Sequence, residues 1–426
     1  MNLRIGISRW VLFGYVLSVF IRIFFSLFHL LPQVNGFIEP FLKLDFSENL
    51  ELYCDYHFYY KEFAKEFASG TWIPYLEDAN IHSFEYPLLY PPFFLYVISF
   101  PALIHPELTF IPLLLADVLL PVLIYKILGK FHSKKIAEWG FLVSAFSPFL
   151  ILYTGILFLN TSLVILFFIL SLYFVALGKY KQASIFLGIS FLFKQIVLFF
   201  IIPVTLYMAL ESTQRDNGKR DTFKLGIKYL GLIALVIFLG SLPWILITPL
   251  NYFNSLSVSQ LPCILPEFYI PESNGIWPVK WYDFLILLDA PYWLVYIAGF
   301  LNFTLLGFFI VQSLSMFLLY KCYNRNTLDF QHFIDLLLII AFLSHLWMPR
   351  GVYKYYFTFL IPIVVLWFSF HYKHQISEKG SERRKYLSII TATSFGLIII
   401  HRYLYLLIIW LLLLLFIMKI KKRVCC

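Results

Sequence analysis

The run YLGLIALVIFLGSLPWILI, residues Tyr229–Ile247, carries no charged side chain and approaches the ~20 residues that a helix needs to cross a bilayer. Similar apolar runs lie at Ile156–Leu177 and Tyr403–Met418. Of the 426 residues, 61% are hydrophobic and only 13% are charged, whereas soluble domains carry about a quarter charged residues. Transmembrane β-strands would alternate apolar and polar residues instead. The sequence therefore predicts an all-α, polytopic membrane protein.

The basic residues are grouped between the apolar runs, which indicates topology because Lys and Arg accumulate in short cytoplasmic loops. The groups are Arg4 with Arg9, Lys126–Lys135, Lys179–Lys181, Arg215–Lys228, Lys321–Arg325, Lys373–Lys385 and Lys419–Arg423. Placing all of them inside predicts roughly 11–13 spans with both ends cytoplasmic. This placement accounts for the net charge of +9 without binding to nucleic acid.

We predict one membrane domain, 1–426, with a first outer loop at 32–106 and a second large outer loop at 248–291. The predicted spans are 10–31, 108–127, 137–153, 157–177, 182–193, 196–210, 228–247, 292–319, 333–348, 355–371, 387–400 and 403–418. The apolar segment Tyr90–Leu103 is short, and a full crossing there would move Lys126–Lys135 outside. It is therefore predicted to be a re-entrant or interfacial helix.

The first outer loop carries a lone carboxylate, Asp55, ahead of an amphipathic pattern over Tyr56–Ala68. Tyr59, Phe63 and Phe67 recur every four residues, as in a helix that lies on a membrane surface. Asp55 is interpreted either as the N-cap of this helix or as a general base at the lipid boundary. The two roles are compatible, since a cap also fixes the position of the carboxylate.

Two further carboxylates have both a structural and a functional interpretation. Glu85 precedes Tyr86-Pro87, where the loop returns to the membrane; it is part of a stiff joint or a second acid facing the same cavity. Asp117 lies inside a predicted span, where a carboxylate is either functional or satisfied by an interhelical hydrogen bond.

Several cations fall on the predicted outer side, against the topological bias. Lys194 either extends toward the interface from a helix end or binds a lipid phosphate. Arg350 and Lys354 lie on one tight turn, close enough to bind a single anion; simple headgroup contact is the alternative. In the second outer loop, Trp277 and Asn274 either form an interfacial aromatic belt or contact a sugar.

The order of these motifs resembles that of the GT-C superfamily of integral-membrane glycosyltransferases, which use polyprenyl-phosphate sugars. The matching elements are Asp55-Tyr56, a split segment Glu85-Tyr86-Pro87 and Tyr90-Pro91-Pro92, Ala116-Asp117, Lys194-Gln195, and the basic turn from Arg350 to Tyr356. Relatives often carry an acidic or polar residue in the loop after span three; here Thr154-Gly155 and Asn160 stand there, with no carboxylate.

The resemblance implies inverting transfer of a hexose, mannose rather than glucose, from a polyprenyl- or dolichyl-phosphate donor to a lipid-linked or glycan acceptor. Asp55 would be the base, with Glu85 as a second catalytic acid. Arg350, Lys354 and Lys194 would bind the donor phosphate. Substrate contacts would come from Tyr56, Tyr90, Gln195, Asn274 and Trp277. The resemblance requires neither a cofactor nor a metal, because fixed cations can stabilise the leaving phosphate.

The implied location is an outward or luminal site in a multi-pass protein of the plasma membrane in a prokaryote or the endoplasmic reticulum in a eukaryote. Two alternative functions stay open from the sequence. One is a transporter or flippase of lipid-linked or anionic substrates, which predicts inverted repeats and charges near the bilayer midplane. The other is a non-catalytic subunit of a glycosylation complex. Only a catalytic role for Asp55 distinguishes the enzyme from such a subunit.

Overall fold

A computed structural model describes residues 8–27, 55–75, 88, 90–216, 221–258, 285–286, 288–301, 304–325, 327–346, 354–373, 376, 380–400 and 402–424. These residues form α-helices joined by 3-10 and π-helical turns, which confirms the predicted all-α fold. The α-helices are α1 Arg9–Leu27, α2 Lys61–Ser69, α3 Pro92–Ala102, α4 Ile111–Phe131, α5 Lys134–Ala145, α6 Thr161–Ala176, α7 Tyr180–Phe191, α8 Leu198–Arg215, α9 Thr222–Ile247, α10 Pro249–Val258, α11 Tyr292–Leu301, α12 Thr304–Asn324, α13 Phe330–Leu346, α14 Phe357–His371, α15 Gly380–Ile399 and α16 Arg402–Val424.

Helices α8 and α14 lie in the interior, while α1 and α9 lie on the outside of the bundle. Helix α4 packs against α5 and α6, α6 packs against α7, and α13 packs against α14. The outer helices expose large apolar side chains, for example Trp10 and Phe20 on α1 and Leu239 on α9. Such surfaces belong in lipid rather than in water.

Several helices are long and apolar enough to cross a membrane. By length and composition, five helices of the described chain meet this condition, or six if one bent pair is a single span. Further apolar helices, including α6 and α13, are shorter and deeply buried. The larger number of spans that the charge pattern indicates stays a prediction.

The predicted span 137–153 is wrong as a continuous helix. Helix α5 ends at Ala145, and a π-helical turn over Leu150–Ile156 follows at an angle of 61°. The physical cause is Pro148, because a proline disfavours α-helical backbone at the residue before it.

The sequence pattern predicts that the apolar face of the outer-loop helix lies on a membrane surface. In the structure this face packs against protein instead. A π-helical turn, Asp55–Tyr60, leads directly into α2, which ends at Gly70 with a left-handed φ of 72°. The apolar face of α2 packs onto α3, and Phe63 stacks on Trp72. The α-helix itself begins at Lys61, behind a helical residue with no side-chain cap, and the capping role of the Asp55 side chain stays a prediction.

Candidate functional site

Lys194 is buried where α7 gives way to α8, and aromatic rings surround its ammonium group. Only 6% of the residue is exposed. Its Nζ donates a hydrogen bond of 3.0 Å to Oδ1 of Asn160. The same Nζ lies 4.7 Å from the ring centroid of Tyr356, 5.2 Å from that of Tyr355 and 5.8 Å from that of Tyr90. These are cation–π distances, and such contacts strengthen when they are desolvated.

We name this group the helix-start site, because each of its residues lies just before a helix. Its five members are Tyr90, Asn160, Lys194, Tyr355 and Tyr356. Tyr90 precedes α3 and Asn160 precedes α6. The extended residue Lys194 precedes the 3-10 turn Gln195–Val197, which runs into α8. Tyr355 and Tyr356 belong to the 3-10 turn that runs into α14. Helix N-termini carry partial positive charge, so the starts of four helices near one lysine favour an anion.

Tyr90 is held in place from two directions. Its carbonyl accepts a hydrogen bond of 2.6 Å from the hydroxyl of Tyr75, a residue with a left-handed φ of 66°. Its ring packs 5.8 Å from that of Tyr60, the last residue of the π-helical turn that begins at Asp55. The backbone that carries Asp55 is therefore joined to the helix-start site through two aromatic contacts, Tyr60 to Tyr90 and Tyr90 to Lys194.

Lys354 lies next to the helix-start site, but its ammonium group contacts other atoms. Its Nζ donates to the carbonyl oxygens of Ile398 and Ile400, at 2.8 Å and 2.6 Å. These carbonyls lie at the C-terminal end of α15, where a cation is favourable. In this geometry the ammonium group of Lys354 caps α15, and its role in binding the donor phosphate stays a prediction.

Tyr56 has a structural position in the described chain. It is fully buried, its hydroxyl lies 2.8 Å from Thr109 Oγ1, and its ring packs 5.1 Å from Phe158. Burial raises the pKa of its phenol, mainly by desolvation. Gln195, which directly follows Lys194, is also buried. The substrate contacts of Tyr56 and Gln195 stay predictions.

Other predicted site residues lie outside the described residues: Glu85, Asn274, Trp277 and Arg350. For Asp55 the structure gives only the backbone, at the first position of the π-helical turn. In the part of the chain that is described, no three His, Cys, Asp or Glu side chains meet as a metal site requires. The predicted independence of a metal stays a prediction.

A buried ion pair joins α1 to α4 and accounts for Asp117. Arg22 Nε donates to Asp117 Oδ2, and Thr154 donates a 2.6 Å hydrogen bond to Asp117 Oδ1. Arg22 also donates to the carbonyl of Ala145 at 2.8 Å, and both charged side chains are 1% exposed. The sequence allows Asp117 to be either a functional carboxylate or a carboxylate satisfied by an interhelical hydrogen bond. The structure shows the interhelical bond. Arg22 is not among the residues predicted from the sequence, although a lone arginine inside an apolar span signals a buried partner.

Residues 90–244 match the family described as dolichyl-phosphate-mannose-protein mannosyltransferase. This segment contains Tyr90, Asn160 and Lys194 of the helix-start site. The match confirms the resemblance to GT-C membrane glycosyltransferases that the order of the motifs predicts.

Solved structures similar to this chain include the archaeal oligosaccharyltransferase AglB from Archaeoglobus fulgidus in complex with an inhibitory peptide and a dolichol-phosphate. The identity is 13% and the TM-score 0.48, over 92% of this chain and 55% of that chain. The Archaeoglobus fulgidus oligosaccharyltransferase in the apo form is similar at 13% identity and a TM-score of 0.46, over 94% of this chain and 56% of that chain. The chain thus spans about half the length of these structures. No curated protein matches the chain.

Proposed function

Because residues 90–244 match the dolichyl-phosphate-mannose-protein mannosyltransferase family, we propose that this protein is a membrane glycosyltransferase that takes a hexose from a polyprenyl- or dolichyl-phosphate carrier. The observation that carries the proposal is the helix-start site, which lies within and beside the matched segment. A buried ammonium group lies there among side chains that directly precede helices, and this setting favours a phosphate.

The proposed reaction is a single displacement at the anomeric carbon. Asp55 takes the proton of an acceptor hydroxyl, whose oxygen then forms the new bond to that carbon. The bond between the carbon and the carrier phosphate breaks with inversion, and the polyprenyl phosphate leaves with the electron pair. Lys194 stabilises the charge that develops on this phosphate, and Arg350 on the neighbouring turn is proposed to assist.

The arrangement also supports a donor anchored in lipid. The exposed apolar side chains of α1 and α9 suit a bilayer, which supports a donor whose prenyl chain stays in lipid while its phosphate reaches the helix-start site. We propose mannose as the sugar, as the family description indicates, with glucose as the alternative. The acceptor is proposed to be a hydroxyl of a lipid-linked glycan, and the site is proposed to open to the outer or luminal side.

The test is a transfer assay with purified protein and dolichyl-phosphate mannose or glucose as donor, using a lipid extract as acceptor. Asp55→Asn is the informative variant, because it removes the base and keeps the size of the side chain. We expect wild-type transfer and a loss of at least about 100-fold in Asp55→Asn, the range in which general bases contribute. Equal transfer by both proteins would reject Asp55 as the base. No transfer by either protein, with either donor, would reject the glycosyltransferase.

A further inference from the structure

A second charged cavity lies at the opposite end of α6 and α8 from the helix-start site. It has a volume of about 370 Å³ and forms where the turn between α6 and α7 meets the end of α8 and the start of α9. Four of its lining residues are basic and one is acidic: Lys179, Lys181, Arg215 and Lys228, against Asp216. Because Arg215 is paired with Glu211, the positive excess comes from Lys179, Lys181 and Lys228 against Asp216, and this excess favours an anion.

Arg215 is held in this cavity by a defined set of contacts. Its guanidinium donates to Glu211 Oε1 at 2.5 Å, and Tyr180 donates to Glu211 Oε2 at 2.8 Å. Gly178, with a left-handed φ of +71°, lets the guanidinium approach: a Cβ at this position would lie 2.5 Å from an Arg215 nitrogen. The guanidinium is thus ordered against Glu211 and the Gly178 turn, while its side chain stays half-exposed.

An apolar surface leads away from this cavity along α9. Leu235 and Leu239 lie seven and eleven residues after Lys228, on the same side of the helix. They are 50% and 56% exposed. A ligand whose anionic group lies near Lys228 therefore meets an apolar strip that runs further into the membrane.

We propose that this cavity binds the phosphate headgroup of an anionic phospholipid, with an acyl chain along Leu235 and Leu239. The charge excess selects an anion, and the apolar strip selects an anion that carries a hydrocarbon chain. The site is separate from the helix-start site, since helices α6 and α8 extend between the two. It serves to hold the protein in the leaflet at this end of the bundle.

The experiment measures retention of phosphatidylglycerol against phosphatidylcholine by native mass spectrometry of the full-length protein in detergent. The variant Lys181→Gln/Lys228→Gln removes two lining charges. The matched control, Lys224→Gln/Lys321→Gln, removes two lysines that do not line the cavity. We expect selective retention of phosphatidylglycerol that weakens roughly tenfold or more in the cavity variant and remains in the control.

Two results would overturn the proposal. One is equal loss, or no loss, of phosphatidylglycerol in the cavity variant and the control. The other is thermal stabilisation by inorganic phosphate as large as that by phosphatidylglycerol and abolished by the same cavity variant. That result would assign the cavity to a free anion without a hydrocarbon chain.

Discussion

Lys194 combines burial with a positive charge, and its ring contacts explain how the two coexist. Three tyrosine faces and the amide oxygen of Asn160 replace part of the water that an ammonium group loses on burial. Of these rings, that of Tyr356 lies nearest, at 4.7 Å. The position of the ammonium group should therefore depend on that ring more than on the other two.

Tyr356→Leu should lower transfer from a dolichyl-phosphate sugar by roughly 2- to 30-fold, the equivalent of one cation–π contact. Tyr356→Phe is the matched control, since it keeps the ring and removes only the hydroxyl. We expect transfer by the Phe variant to stay near that of the wild type in the same assay. Equal losses in the two variants would show that the hydroxyl, and not the ring face, matters.

His132, directly after α4, should make stability depend on pH. Burial, together with the charge of Lys373, lowers its pKa to about 4, whereas an unfolded histidine titrates near ~6.5. Between these values the unfolded chain takes up the proton first, so stability is present above about pH 6.5 and falls as the pH drops toward about 4. Thermal unfolding across this range should show that decline, and His132→Asn should make it shallower. The same decline in His132→Asn would assign it to other groups.

At the scale of helices, the Arg22–Asp117 pair fixes α1 against α4 and against the turn Leu150–Ile156. Removing one partner of a buried pair leaves an uncompensated charge, which costs about 3–5 kcal/mol. Asp117→Leu should therefore destabilise the protein by that amount in denaturant unfolding. Arg22→Met combined with Asp117→Leu should recover most of the loss, because it removes both charges. A double variant as unstable as the sum of its single variants would contradict this account.

The helices themselves are largely predictable, and their breaks less so. Long apolar runs with basic ends predict α4, α8 and α9 within a few residues, because lipid requires hydrogen-bonded backbone in each segment. The bend after Ala145 is signalled by Pro148, but the mostly apolar run around it favours a single continuous span. The sequence pattern predicts that the apolar face of α2 lies on a membrane, because the sequence does not show that α3 covers this face.

At the scale of the whole molecule, the sequence predicts individual residues of the helix-start site but does not predict that they lie together. Lys194 and the Tyr-rich turn were identified from charge placement, but their contact joins positions 90, 160, 194 and 355 of the chain. No local sequence pattern predicts that these residues lie in contact, because their contact depends on how four helices pack. Lys354 illustrates the same limit, since its capping of α15 depends on where that helix ends.

Phosphate binding at the helix-start site is tested by the affinity of purified protein for dolichyl phosphate, compared between the wild type and Lys194→Met. Methionine keeps much of the apolar stem of the lysine side chain and removes its charge. Lys224→Met, at an exposed lysine in the first turn of α9, is the control. The account predicts at least roughly tenfold weaker binding in Lys194→Met and wild-type affinity in the control. Unchanged affinity in Lys194→Met, with the protein folded, would contradict the claim that the helix-start site binds the phosphate.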